Sequence, residues 1–117
     1  MRGKKSLMGE LMFQDLVSVI IPIYYPNYNY FKTSLTSITS QTYKNLEILI
    51  ISDGHSQQIE NYLEQIDDER IKLIKNKGRI GFQQSLNKGI NIAKGNYIAR
   101  QDSDDISHPT RIEKQLK

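Results

Sequence analysis

Val17-Ser18-Val19-Ile20-Ile21-Pro22-Ile23 is a run of β-branched residues interrupted only by a serine and a proline. β-Branched side chains suit a pleated surface, and an apolar run without polar alternation reads as a strand buried on both faces. Pro22 belongs at the end of that strand, because proline has no N–H to give to a central ladder. Working outward, Leu46 to Ile51 has the same character, and Ile71 to Ile74 and Tyr97 to Arg100 are shorter runs. Strands are expected near 17–23, 46–51, 71–75 and 96–101.

Helical spacing fills the intervals. Phe31, Leu35 and Ile38 recur at i, i+4, i+7, with Asn29 as N-cap. Ser56 precedes a second amphipathic stretch with Ile59, Tyr62, Leu63 and Ile66 on one face. Phe82, Leu86, Ile90 and Ala93 mark a third, with Gly95 placed to end it. Pro109 suits the first position of a fourth helix, whose Ile112 and Leu116 face the core. Helices are therefore expected near 30–41, 56–66, 81–94 and from 109 onward.

Alternating strands and helices predict an α/β fold, a mainly parallel four-stranded sheet flanked by helices. Right-handed crossovers place every strand-to-helix loop along one edge of such a sheet, where ligands bind. The loops Tyr24–Tyr30, Ser52–Ser56 and Asp102–Ser107 are distant in sequence but share that rim.

Composition narrows the function classes. The chain has 117 residues, 38% hydrophobic and 25% charged, which places it with single globular domains and not with disordered chains. There is no cysteine, so disulfides and thiolate zinc sites are excluded. Net charge is +3, carried partly by Lys72, Lys75, Lys77, Arg79, Lys88 and Lys94. A basic face attracts phosphates, anionic membrane or nucleic acid, but solvated helix faces are the commoner meaning, and no nucleic-acid recognition motif accompanies it. Met1 to Asp15 is a weakly patterned lead-in; Leu7, Met8, Leu11 and Met12 fit a short amphipathic helix or a flexible segment. No apolar run is long enough to span a bilayer. The expected location is the cytoplasm, with at most peripheral contact at the inner face of the membrane.

The chemistry concentrates on the rim. Asp102-Ser103-Asp104-Asp105 follows a strand directly, and carboxylates one residue apart suit a single hard cation. Taken alone, such a turn is ordinarily a solvated loop or a helix cap; its place on the ligand edge weighs toward ligation. Asp53 follows the second strand and precedes Gly54. It is suited to accept from a base N–H or a ribose hydroxyl, and equally to close an Asx-turn. Tyr24 presents a ring that stacks on a base or packs in the core. His55 and His108 have no metal-ligand spacing, and Gly78-Arg79-Ile80-Gly81 is not a G-x-G-x-x-G loop, which argues against a dinucleotide dehydrogenase or an NTPase.

At these residues the pattern resembles a known family. VSVIIPIY at 17–24, SLTSITSQTYKNLEILIISDGHS at 34–56 and IGFQQSLNKGINIAKGNYIARQDSDDISHPTRIEKQ at 80–115 are similar, in order and spacing, to the first half of family 2 glycosyltransferases. The resemblance covers residues 16–117 and implies the GT-A fold, binding of a nucleotide-diphospho-sugar (a UDP-sugar foremost) and a Mn2+ or Mg2+ cofactor. It also implies inverting sugar transfer to a glycan or lipid-linked acceptor, as in polysaccharide biosynthesis. It assigns Pro22 and Tyr24 to the base and ribose pocket, and Asp53 to the nucleobase. Arg79 and Gly81 match a loop near the nucleotide; Asp102 and Asp104 match the D-x-D motif, with Asp104 the better candidate for direct metal contact. Two positions depart from the family: Tyr25 stands where asparagine is common, and Ser52 where a second aspartate is common. In the family the acidic loop lies mid-domain, with the base and acceptor segments after it. Here it ends at Asp105 and the sequence at Lys117. The expectation is the donor-binding part of a truncated GT-A domain, prone to self-association, that does not transfer sugar alone. A non-catalytic nucleotide-sugar-binding fragment is the alternative.

Overall fold

The computed structural model describes residues 15–116. The segment proposed as a short helix at Leu7 to Met12 lies outside the described residues. The elements are β1 (Val17–Ile23), α1 (Tyr28–Thr39), β2 (Leu46–Ser52), α2 (Gln57–Gln65), β3 (Ile71–Lys75), α3 (Phe82–Ile92), β4 (Tyr97–Arg100) and α4 (Arg111–Gln115). The four strands form one sheet in the order β3-β2-β1-β4. All of its pairings are parallel, with Val17 opposite both Leu46 and Tyr97.

Strand periodicity divides the core. Val17, Val19, Ile21 and Ile23 of β1, with Leu46, Ile48 and Ile50 of β2, pack against Phe31, Leu35 and Ile38 of α1, Ile59 of α2 and Ile112 of α4. The opposite face, Ile20, Leu49 and Ile51, meets Leu86 of α3. Every residue of β1 and β2 is buried, as expected of central strands covered on both sides. β3 is a half-exposed edge.

Pro22 is the penultimate residue of β1 and pairs with Ile51. The Ile23 carbonyl accepts from the Asp53 N–H just after β2, whereas the Ile20 carbonyl accepts from the Gln101 N–H after β4. By alternation, Pro22 faces the β4 side, beyond Arg100, the last paired residue there. Its missing N–H therefore leaves no ladder bond unmade.

Several boundaries move for identifiable reasons. α1 begins earlier than expected because Asn27, not Asn29, is the N-cap; its side chain accepts from the Tyr30 N–H at 3.0 Å. Ser56 caps α2 as expected. α3 stops before Gly95: Ala93 is its C-cap, and the Gly95 N–H donates instead to Ser18 Oγ at 2.9 Å. Pro109 does not open α4, which starts at Arg111; the Pro109 carbonyl is held by the Thr42 N–H at 2.9 Å. Of the residues that mark this helix, Phe82 and Ile90 are 51% and 44% exposed, because α3 alone covers its face of the sheet and buries only a narrow stripe.

At the amino edge of the sheet, the buried Glu47 carboxylate accepts from Ser18 Oγ at 2.7 Å, the Lys94 N–H at 2.9 Å and Lys72 Nζ at 3.2 Å. Among the described residues, basic side chains pair with acids here and elsewhere: Lys72 with Glu47, Lys75 with Glu60 at 2.7 Å and Arg70 with Asp68 at 2.8 Å. Among the described residues, no helix is long and apolar enough to cross a membrane.

Candidate functional site

At the carboxyl edge of the sheet, a cleft of about 540 Å³ is lined by Pro22, Ile23, Tyr24, Asp53, Arg79, Phe82, Ser85, Arg100, Asp102, Ser103 and Asp104. These residues come from the ends of β1, β2 and β4 and from the loop and helix after β3. Six of the seven residues singled out from the sequence line this one cavity. The seventh, Gly81, reaches it through a hydrogen bond.

Asp53 organises one wall. Its Oδ1 accepts from Asn76 Nδ2 at 2.8 Å and from the Ile80 N–H at 2.9 Å, and its Oδ2 accepts from the Gly81 N–H at 2.7 Å. Gly81 has φ 89°, a left-handed conformation that glycine adopts without strain and that turns the chain into α3. Burial opposes ionisation of Asp53. The hydrogen bonds from Ile80, Asn76 and Gly81, together with the Arg79 charge, outweigh it and hold the carboxyl below its ordinary range. A carboxylate offers about four lone-pair positions; three are occupied here, which leaves one on Oδ2.

Arg79 crosses from the same loop to lie over the Tyr24 ring, 3.9 Å from its centroid. Tyr24 also meets Tyr25 edge to face at 5.1 Å. Tyr25 has φ 42°, the left-handed region that asparagine tolerates better than most residues. That makes tyrosine a strained choice there. The Tyr25 N–H donates to the Gly54 carbonyl at 2.8 Å, and its ring lies so close that a Cβ on Gly54 would stand 2.5 Å from it. The loops after β1 and β2 are thereby locked together.

Ser52 is buried and accepts from the Gly54 N–H at 3.0 Å. It also contacts His55 Nδ1 at 2.6 Å, and His55 Nε2 contacts Glu60 Oε1 at 2.8 Å. His55 thus ties the loop after β2 to α2.

The far wall carries Asp102, Ser103 and Asp104 beside Arg100. The Arg100 guanidinium lies 5.5 Å from the Phe82 ring centroid. The cleft therefore sets two guanidinium groups against three carboxylates. A net negative cavity repels a diphosphate unless a cation accompanies it. Asp102 and Asp104 supply hard oxygen donors suited to Mg2+ or Mn2+. Among the described residues no group of three or more acidic or histidine side chains is placed to hold a metal.

Sequence reading missed Phe82, Ser85, Asn76 and Arg100. Arg100 was open to discovery, since it ends a strand directly before the acidic loop. Phe82 was concealed by helical spacing that fits a core residue equally well. Gln101, Ser107 and Arg111, which brace the acidic loop from beneath, carried no local signal at all.

The family model for Glycosyl transferase family 2 matches residues 18–117. An uncharacterized glycosyltransferase of Haemophilus influenzae is 48% identical over 101 residues, covering 85% of this chain and 31% of that protein. One of Methanocaldococcus jannaschii is 40% identical over 114 residues, covering 95% of this chain and 39% of the relative. The chain thus spans well under half the length of these two relatives. Among solved structures, Staphylococcus aureus TarS 1-349 in complex with UDP-GlcNAc superposes with a TM-score of 0.76 at 21% identity, covering 86% of this chain and 30% of that one. A mannosyltransferase of Pyrobaculum calidifontis in complex with GDP-Man and Mn2+ gives 0.69 at 22% identity, covering 81% and 29%. These two likenesses establish the GT-A-like fold. With a family match across nearly the whole sequence, this chain belongs to glycosyl transferase family 2.

Proposed function

We propose that the rim cleft binds the nucleotide-diphosphate moiety of a sugar donor, foremost a UDP-sugar, and that residues 16–117 are the donor-binding part of a metal-dependent transferase. The observation that carries this reading is the convergence of Pro22, Tyr24, Asp53, Arg79, Asp102 and Asp104 on one cavity from separate strand ends. Tyr24 and Arg79 offer a ring and a planar cation to the base. The free position on Asp53 Oδ2 suits a base N–H or ribose hydroxyl, and the Gly81 bond keeps that carboxylate in place. Asp104, with Asp102, would hold Mn2+ or Mg2+ against the diphosphate. When bound, such a cation neutralises charge on the departing nucleotide diphosphate.

Family membership supports transfer to a glycan or lipid-linked acceptor as the activity of the longer protein type, with inversion at the sugar carbon. A second reading, binding without transfer, draws on a specific observation. The carboxylates of the cleft are Asp53, Asp102 and Asp104. The first braces the 76–81 loop and the other two are the candidate metal ligands. Glu113, the later acid, lies on α4 and accepts from Thr42 Oγ1 at 3.4 Å, outside the cleft lining. Inverting transfer needs a base near the attacking hydroxyl, and among the described residues the carboxylates that line the cleft are these three.

Titration of UDP into the 117-residue chain, with and without Mn2+, tests the binding reading. Wild type should bind UDP more tightly with Mn2+, and Asp104→Asn should lose that gain while remaining folded. Binding that ignores Mn2+ and is unaltered in Asp104→Asn would refute the assignment. Supplying a donor sugar nucleotide with candidate acceptors distinguishes the second reading: turnover to a glycoside well above donor hydrolysis excludes it.

A further inference from the structure

We propose that Gln101 and Arg111 are positioning residues: they clamp the acidic loop so that Asp102 and Asp104 stay aimed at the cleft. The inference rests on the donor-site reading above and goes beyond it in naming what sets the loop's shape.

The loop leaves β4 after Arg100 and returns to the protein at α4. Gln101 is 3% exposed beneath it. Its Nε2 donates to the Asp105 carbonyl at 2.8 Å and to Ser34 Oγ of α1 at 3.0 Å. Its Oε1 accepts from Ser107 Oγ at 2.7 Å and from Arg111 Nη1 at 3.0 Å. The orientation of this amide follows from its partners. A guanidinium only donates and a carbonyl only accepts, so the amide oxygen must face Arg111 and the nitrogen must face Asp105. Both ends of the amide are thereby saturated.

Arg111 spans the mouth of the loop. Besides Gln101, it donates through Nη1 to Ser107 Oγ at 3.1 Å and through Nη2 to the Arg100 carbonyl at 2.9 Å. One guanidinium thus binds the residue before the loop, the buried glutamine at its base and the serine at its far end. Ser34 Oγ adds a bond to the Asp102 carbonyl at 3.0 Å, and the Ser107 N–H donates to Ser37 Oγ at 3.0 Å.

These bonds end on main-chain carbonyls or on members of the clamp itself, so the carboxylates of Asp102 and Asp104 are left to the cleft. A lysine cannot substitute for the Arg111 fork, because an ammonium is a point charge without the planar set of donors. The clamp also explains a buried glutamine at the end of β4: a leucine there would strip the Asp105 carbonyl of its donor and remove one of the three acceptors of Arg111.

The test compares the wild-type 117-residue chain with Arg111→Met, Gln101→Leu, Arg111→Lys and the milder Ser107→Ala. Uridine and UDP are titrated with and without Mn2+, and hydrogen exchange is followed over 102–107. In Arg111→Met and Gln101→Leu the Mn2+-dependent gain in UDP affinity should fall by about tenfold, the value of one charge-assisted hydrogen bond. Uridine affinity should hold within about twofold, because the base wall is built by Tyr24, Asp53 and Arg79. Amides of 102–107 should exchange faster while those of β1 and β2 do not, and Arg111→Lys should recover only part of the loss. Equal losses for uridine and UDP would mean a merely structural role and overturn the proposal. So would unchanged exchange over 102–107 in a folded variant. If Arg111→Met or Gln101→Leu fails to fold, Ser107→Ala decides by the same exchange criterion. A wild type without any Mn2+ gain would refute the donor-site reading instead, and the exchange result would still decide the clamp.

Discussion

The Arg79 guanidinium rests on the Tyr24 ring, 3.9 Å from its centroid, although one follows β3 and the other follows β1. β2 separates these strands in the sheet, so the contact passes over the end of β2, where Asp53 holds the 76–81 loop by its Ile80 and Gly81 amides. A planar cation on an aromatic face contributes about 0.5–2 kcal/mol. Arg79→Ala and Tyr24→Ala should each weaken UDP binding by about that amount while leaving the fold intact. Calorimetric titration checks this; an affinity equal to wild type in both variants would remove these residues from the base site.

Asp53→Ala should act on stability as well as on binding. It strips one acceptor from Asn76 Nδ2 and leaves the Ile80 and Gly81 amides without their carboxylate. Loss of such charge-assisted bonds costs about 1.5–3 kcal/mol. Urea denaturation should show a lower midpoint with an unchanged slope, since the compactness of the native state is not at issue. A midpoint at the wild-type value would show that the 76–81 loop is held by other means.

Acid should destabilise the protein. Glu47 is held below its ordinary range: burial opposes ionisation, but the Lys94 N–H, Ser18 and Lys72 outweigh it. Hydrogen bonds from Lys75 and His55 lower Glu60, and the Arg70 side chain lowers Asp68. For a carboxylate with a depressed folded-state value, the stabilisation is fully present above the unfolded value, near pH 4. It is lost as pH falls through the folded one. The thermal midpoint should therefore stay level from neutrality down to about pH 5 and drop steeply below about pH 4. Glu47→Gln should shallow that acid limb and lower the midpoint at neutral pH. A midpoint that rises on acidification would contradict the assignment.

Gly89 of α3 sets the spacing between helix and sheet. A Cβ there would stand 2.6 Å from Cγ2 of the fully buried Ile20. Alanine is favoured over glycine in a helix interior by about 1 kcal/mol, whereas forcing a methyl into a packed core costs about 1–3 kcal/mol. A β-branched core residue has little freedom to move aside, so the clash wins and Gly89→Ala should lower the urea midpoint. A raised midpoint would show that Ile20 yields and that propensity decides.

Most of the sheet was legible in the residues themselves. Val17 to Ile23 and Leu46 to Ile51 are short, mostly apolar and rich in β-branched residues without regular alternation, the pattern of a strand covered on both faces. Parallel order and the shared rim then follow from connection handedness, which brings Tyr24, Asp53 and Asp102 to one edge. Helix ends were less legible. Asn27 and Asn29 are equally good caps by residue type, and the choice falls to whichever side chain reaches an N–H three residues on.

What the sequence determined by itself is the set of elements, their parallel arrangement and the edge on which chemistry gathers, because burial period and chain handedness are local or nearly local properties. Tertiary structure alone decided how the site is held. Asp53 reaches the Gly81 amide, 28 positions away in sequence, and Gln101 reaches Ser34 across 67. Phe82 faces the cleft and not the core because α3 lies alone on its side of the sheet, where a helix buries only a narrow stripe. Side-chain hydrogen bonds between remote residues leave no periodic trace in a sequence. Their partners are fixed by where the folded backbone happens to bring a donor within reach of an acceptor, and that is settled only once the whole sheet is assembled.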